Sequence, residues 1–282
     1  MVLQPRLAKS SDYAALLSFM NGQNYLHRHL DWRDTLDWLG TAPFLITEEN
    51  HKILSVLACP PEPPQVAWVR LFGVSLNHSP DRAWRMLFDQ AQGMLDNLTP
   101  RPLLVSMSLR DWYTELLARN GFVFHQDIIV FMYDQAPPPP APPEHGLHLR
   151  AMQAEDIAQV SIIDHLTFEP IWRLSEQDMQ HAYRKSAYRT VIELDGEIVA
   201  YQMSSSAGFY AHLARLAVHP NVQRRRIGYR LVQDLLDYFL VQHNCWGVTL
   251  NTQHDNASSL ALYHHTGFRE TGERFPVYIY QP

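Results

Sequence analysis

Between Gln223 and Gly228 the chain reads Gln-Arg-Arg-Arg-Ile-Gly, three consecutive cations followed closely by a residue without Cβ. Amphipathic spacing starts directly after it, so the run stands at the entry to a helix. A helix entry offers backbone N–H groups that have no intrahelical partner, together with the positive end of the helix dipole. Arginine adds charge and a planar fork of donors. The chemistry of such a run is the capture of an anion, a phosphate above all. Gly228 lets a ligand or a neighbouring strand come close to the first helical turn. Histidine suggests a second chemistry, metal binding, at His254, His264 and His265. Adjacent helical residues point in different directions, however, and no Cys–His or His–Glu spacing supports zinc. No metal site is expected.

Two elements must position the arginine loop. The run His212–Val218 is apolar enough for a buried strand, and Pro220 ends it. Downstream, Ile227, Leu231, Val232, Leu235, Leu236, Phe239 and Leu240 recur at helical spacing and give one buried face. A strand ending Ala217-Val218-His219-Pro220, followed by Gln223–Gly228, resembles the pyrophosphate loop of the GNAT superfamily of acyl-CoA-dependent N-acyltransferases, Gln/Arg-x-x-Gly-x-Gly/Ala. Arg226 departs from the family's middle glycine. A second block, from Asn256 through Ser259 and Leu262-Tyr263 to Gly267-Phe268, is similar to the family's Asn-x-x-Ala/Ser-x-x-Leu-Tyr-x-x-x-Gly-Phe helix.

The resemblance implies acetyl-CoA, or another acyl-CoA, as co-substrate and a primary amine as acceptor. It implies that the backbone of Leu216, Ala217 and Val218 pairs with the pantetheine arm and the acyl carbonyl. Gln223, Arg224, Arg225, Arg226, Ile227, Gly228, Tyr229 and Arg230 would hold the pyrophosphate. Asn256 would cap its helix and reach the cofactor arm, with Ser259 and Asn251 as further contacts. Tyr263 would be the general acid that protonates the departing thiolate. Some members carry a carboxylate base on the central strand, six residues before the position of Val218; here that residue is His212. Its imidazole titrates near neutral pH, which suits deprotonation of an ammonium. Strand alternation puts His212 on the face of Ala214, Leu216 and Val218, so its aim depends on a bulge or bend. Glu193, His254 and Asp255 are weaker alternatives. Trp172, Arg173 and the Trp32/Trp38 region are candidates for the acceptor pocket, helix packing and core being their plainer use. A non-catalytic acyl-CoA-binding module is the alternative function.

The chain has 282 residues, 46% of them hydrophobic, which suits two domains better than one. A net charge of −6 argues against nucleic acid or an anionic membrane as partner. No apolar run is long enough to span a bilayer, and no signal-like segment follows Met1. Cys59 and Cys245 are too few for a disulfide framework. A cytoplasmic protein is expected.

Residues 135–146 are dominated by proline and read as an extended spacer between domains at 1–134 and 147–282. The halves align at a nearly constant offset. Arg6 and Asp12 match Arg150 and Asp156, Ile53 matches Ile198, Arg70-Leu71 matches Arg215-Leu216, and Gly121-Phe122 matches Gly267-Phe268. An α/β (α+β) fold of two tandem GNAT-like domains follows, each a mixed, mostly antiparallel sheet flanked by helices; the two-lobed plan is similar to that of mycothiol synthase. In the first half, helices are expected at Asp12–Met20, Asp31–Leu39, Asp81–Leu95 and Trp112–Arg119. A strand is expected near Ala67–Val74, and in the second half a turn at Gly272. The arginine loop becomes His78-Ser-Pro80-Asp81-Arg-Ala83, Tyr263 becomes Leu117 and Asn256 becomes Arg110. Pro80 offers no N–H and Asp81 supplies its own anion. The first half is therefore expected to be a scaffold or cleft wall.

Overall fold

The structure is a computed structural model that describes residues 4–136 and 146–281. The expected spacer at 135–146 lies, from 137 to 145, outside the described residues. The chain forms two compact units, one running up to His125 and taking back Phe275 onward, the other comprising Gln126–Arg274. This division differs from the punctuation in the sequence, because two long strands each leave one unit and enter the other.

The first unit contains β1 (Arg6–Leu7), α1 (Tyr13–Met20), β2 (Tyr25–Arg28), β3 (Phe44–Glu49), β4 (Lys52–Ala58), β5 (Val66–Trp68), β6 (Leu71–Val74), α2 (Pro80–Asp96), β7 (Leu103–Met107) and α3 (Asp111–Arg119). The order β1-β3-β4-β6-β2 is antiparallel throughout, while β5 runs parallel to β7. Asp31–Leu39, expected as a helix, forms only a 3-10 turn at Thr35–Trp38. Trp38 is buried, and the guanidinium groups of Arg33 and Arg70 lie 3.9 and 4.7 Å from its ring centre. Leu36 and Trp38 join the core around Leu16, Phe19 and Phe44, and the cation–π contacts add to that anchoring. The expected strand near Ala67–Val74 is broken into β5 and β6.

β8 (Phe122–Tyr133) starts in the first unit and continues in the second, which adds β9 (Leu147–Ala151), α4 (Ile157–Thr167), α5 (Glu176–Lys185), β10 (Tyr188–Leu194), β11 (Glu197–Ala207), β12 (Tyr210–Val218), α6 (Ile227–Leu236), β13 (Gly247–Gln253), α7 (Ala257–His265) and β14 (Arg269–Tyr280). Its strands lie in the order β9-β10-β11-β12-β13-β8, with only the β12–β13 pair parallel. Gly272 takes φ +87° without ending β14, so the expected turn is a bend inside one strand. Val232, Leu235, Leu236 and Phe239 pack on Ala211, Leu213, Val248, Leu250 and Tyr263. Full burial of one such Leu or Val is worth roughly 1.5–3 kcal/mol. No helix among the described residues is long and apolar enough to cross a membrane.

The duplication extends to side chains. Arg6 bridges Asp12 at 2.8 Å and Glu48 at 2.7 Å; Arg150 bridges Asp156 and Glu193, both at 2.7 Å. Asp12 and Asp156 each also accept a backbone N–H at 2.7 Å, from Lys9 and Gln153. A register shift occurs at the same place in both sheets, Thr47/Glu48 and Ile192/Glu193. Half-exposed ion pairs add little stability. They fix how the first strand meets the first helix in each half.

Candidate acyl-transfer site

Parallel pairing of β12 with β13 runs from Tyr210↔Gly247 to Leu213↔Leu250 and then stops. β12 goes on to Val218, bonded to β11 along its other edge. From Ala214 to Val218 the edge toward β13 thus has no strand partner among the described residues. Backbone donors and acceptors along such an edge are available to an extended, amide-bearing ligand.

The split coincides with a bulge. Met203 pairs with Arg215 and Ser204 with Leu213, leaving Ala214 as the extra residue. A bulge reverses the alternation of faces beyond it. Before it, Ala211 and Leu213 face α6; after it, Leu216 and Val218 do. His212 and Arg215 face the opposite side, where Arg215 meets Asp164 of α4. The expectation that His212 shares a face with Leu216 and Val218 is therefore corrected, and Ala214 is the cause.

At the end of β12 a short 3-10 turn, Pro220–Val222, leads to Gln223, whose side-chain amide donates to the Val218 carbonyl at 3.1 Å. Arg224, Arg225 and Arg226 are exposed. Arg226 has φ 58° and ψ 11°, the left-handed conformation that a glycine supplies most easily. The departure from the family pattern thus leaves a glycine-like backbone and adds a cation. The first helical bond is from the Arg230 N–H to the Arg226 carbonyl at 3.1 Å, so Ile227, Gly228 and Tyr229 carry N–H groups without intrahelical acceptors. Ile227 itself is buried, which limits it to a backbone contact. A Cβ on Gly228 would lie 3.1 Å from Leu262 Cδ2 and 3.6 Å from Val218 Cγ2, so the glycine seats α6 against α7 and β12.

Asn256 caps α7, accepting the Ser259 N–H at 3.1 Å and donating to Gln253 Oε1 at 3.3 Å. Tyr263 is buried, its ring centre 6.0 Å from Phe131 and 5.9 Å from Phe268. Burial pushes its phenol up to about 12, and a hydrogen bond with Ser259 draws it back in part. The group keeps its proton at any ordinary pH, as an acid must. Ser259 therefore serves both the cap and the phenol.

His212 sits opposite Thr249, with Nδ1 2.8 Å from Thr249 Oγ1. Burial lowers its basicity below the ordinary imidazole range, and a hydrogen bond with the Asn251 side chain opposes this. Of the weaker base candidates, Glu193 is engaged by Arg150 and, at 3.3 Å, by His148; the Arg150 guanidinium first and His148 second hold its carboxyl below the usual range. His254 is exposed and accepts the Asp127 N–H at 3.3 Å, and Asp255 is exposed too.

A buried cluster escaped the sequence reading. Tyr201 donates to Asp164 Oδ2 at 2.5 Å, Arg215 Nε donates to the same oxygen at 2.5 Å, and Arg215 Nη2 donates to the Trp172 carbonyl at 2.6 Å. The Arg215 guanidinium lies 3.9 Å from the centre of the Phe168 ring. The only signal was the pairing of Arg215 with Arg70 in the alignment of halves; Arg70 bonds Asp31 and the Glu62 carbonyl. Trp172 thus reaches the His212 face through its carbonyl, while Arg173 donates to the Phe168 carbonyl at 2.9 Å.

In the first half the corresponding edge is occupied. At the offset that matches Arg70 to Arg215, Leu71–Gly73 stands for Leu216–Val218, and β2 pairs along it from Leu71↔Arg28 to Val74↔Tyr25. His27 Nε2 lies 3.1 Å from the carbonyl of Val69, the counterpart of the bulged Ala214. A Cβ on Gly73 would come within 2.9 Å of Leu26 Cδ1. Beyond it, Ser79 caps α2 by accepting the Arg82 N–H at 3.4 Å, Pro80 opens the helix, and Asp81 pairs with Arg119 at 3.2 Å.

Residues 157–268 match the sequence profile of the acetyltransferase (GNAT) family. Among curated protein sequences no relative matches the chain. A tandem GNAT protein from the clavulanic acid biosynthesis pathway superposes with a TM-score of 0.67 at 16% identity, over 99% of this chain and 97% of that one. A GCN5-related N-acetyltransferase from Sphaerobacter thermophilus gives 0.61 at 14% identity, over 86% and 82%. A GNAT-family acetyltransferase from Colwellia psychrerythraea gives 0.56 at 11% identity, over the full length of both. At these identities the likeness is one of fold.

Proposed function

Because residues 157–268 belong to the GNAT acetyltransferase family and the whole chain carries the tandem GNAT fold, we propose that its second half transfers an acyl group, acetyl first among candidates, from acyl-CoA to a primary amine. The observation that carries this reading is the open edge of β12 from Ala214 to Val218, which ends at the arginine loop and the start of α6. Its length and its polar backbone fit a pantetheine arm, and the helix entry with Arg224, Arg225 and Arg226 fits a pyrophosphate. Acyl-CoA supplies a carbonyl activated by a thiol leaving group.

The residues of this chain then have three tasks. The β12 edge and the N–H groups of Ile227, Gly228 and Tyr229 orient the co-substrate. His212, on the face that α4 covers, takes a proton from the incoming ammonium directly or through water, leaving its nitrogen lone pair free to attack. Tyr263 keeps its phenolic proton for the sulfur that leaves, and is restored by the proton that the acylated nitrogen sheds. Asn251 and Asn256 are assigned to the arm of the co-substrate.

A second reading, a non-catalytic acyl-CoA-binding module, draws on the burial of Tyr263 and its bond to Ser259. One experiment separates the two. Purified protein is given acetyl-CoA and a panel of amines, and free thiol is followed. Amine-dependent release supports the enzyme; tight CoA binding without release with any amine supports the module.

A further inference from the structure

We infer that Thr249 is a positioning residue: it fixes the proton of neutral His212 on Nδ1 and so leaves Nε2 as the basic atom. This rests on the assignment of His212 as the base.

Thr249 Oγ1 has one hydrogen and two neighbours that compete for it, His212 Nδ1 at 2.8 Å and the Ala211 carbonyl at 3.2 Å. A carbonyl oxygen has only lone pairs to offer, so the contact with Ala211 is favourable only if Thr249 donates to it. The hydroxyl must then accept from the ring, and Nδ1 must carry the hydrogen. The reverse arrangement spends the hydroxyl proton on Nδ1 and sets two oxygens against each other, 3.2 Å apart, with nothing between them. Parallel pairing of β12 with β13 holds the geometry, because His212 and Thr249 are direct partners in the register and Ala211 is next to both. Asn251, two residues further along β13 and just past the paired stretch, hydrogen-bonds the same ring in the sense that favours its protonated form, so its amide oxygen accepts from the ring once Nε2 has taken a proton. An ammonium that reaches Nε2 gives up one proton; the N–H electron pair stays on the substrate nitrogen as the nucleophile, and the imidazolium later returns the proton to water.

The test uses the full-length protein labelled with 15N at histidine, observed at a pH where imidazoles are neutral. The His212 signals are identified by their loss in His212→Gln. The Nδ1–H pattern is expected in the wild type and in Thr249→Ser. In Thr249→Val, nearly the same in shape, the pattern should shift toward Nε2–H, with kcat falling roughly tenfold and the serine variant close to wild type. An Nε2–H pattern in the wild type, or an unmoved pattern in Thr249→Val, overturns the inference. Full activity in His212→Gln would instead remove His212 as base, while the tautomer signals still decide what Thr249 does.

Discussion

His212 and Leu216 lie four residues apart on one strand and face opposite sides of the sheet, because Ala214 bulges between them. Without the bulge strict alternation would put both on one face. With it, the strand presents backbone and apolar side chains along one path and an imidazole on the other face.

His212→Gln should flatten the acidic limb of the kcat/KM profile. The base works only when neutral, so activity falls as pH drops through its pKa. Burial lowers that pKa, so the wild-type limb should fall below the ordinary imidazole value of about 6.5. CoA affinity should be unchanged by titration calorimetry. An acidic limb left intact in the variant would take His212 out of the mechanism.

Tyr263→Phe should lower kcat by roughly 10²-fold, the low end for a lost general acid. The ring keeps its contacts with Phe131 and Phe268, so CoA affinity and thermal stability should hardly move. Steady-state kinetics with a saturating amine decides the matter; unchanged turnover would leave the tyrosine as packing alone.

Calorimetry should find one CoA per chain. β2 already pairs along β6 in the first half, and Pro80 withholds an N–H where the second half has the arginine loop. Two equivalent sites would contradict this. Arg224→Glu with Arg225→Glu should abolish binding at the remaining site, since repulsion replaces attraction at the pyrophosphate.

Asp164→Ala should cost about 3–5 kcal/mol, because it strands the Arg215 guanidinium in the interior. The Asp164 side chain is 0% exposed and that of Arg215 11%. Urea unfolding measures the loss, and a change below 1 kcal/mol would mean that water reaches Arg215 freely.

The second half was readable because each of its signals is local. The cap at Asn256, the glycine against Leu262 and the apolar face of α6 follow from residues a few positions apart. The bulge left no such mark: Ala214 is an ordinary strand residue, and only its pairing with β11 exposes the extra position. β2 was missed because four residues are too short for alternation to register. Asp164 and Arg215 are 51 positions apart, and neither type alone announces a buried pair. Arg226 read as a departure from a glycine pattern, and its backbone adopts the glycine conformation all the same.

The path of β8 and β14 decides how this gene can be divided. A cut in the proline-rich stretch leaves both products short of a strand. The C-terminal product loses Ile128–Tyr133, the antiparallel partner of Val248–Gln253. The N-terminal product loses Val277–Ile279, which pairs with Val105–Met107. Bare strand edges recruit other chains, so each product should aggregate when expressed alone. Mixed and refolded together, the two pieces should complement one another and regain solubility, as fragments of a single folded chain do.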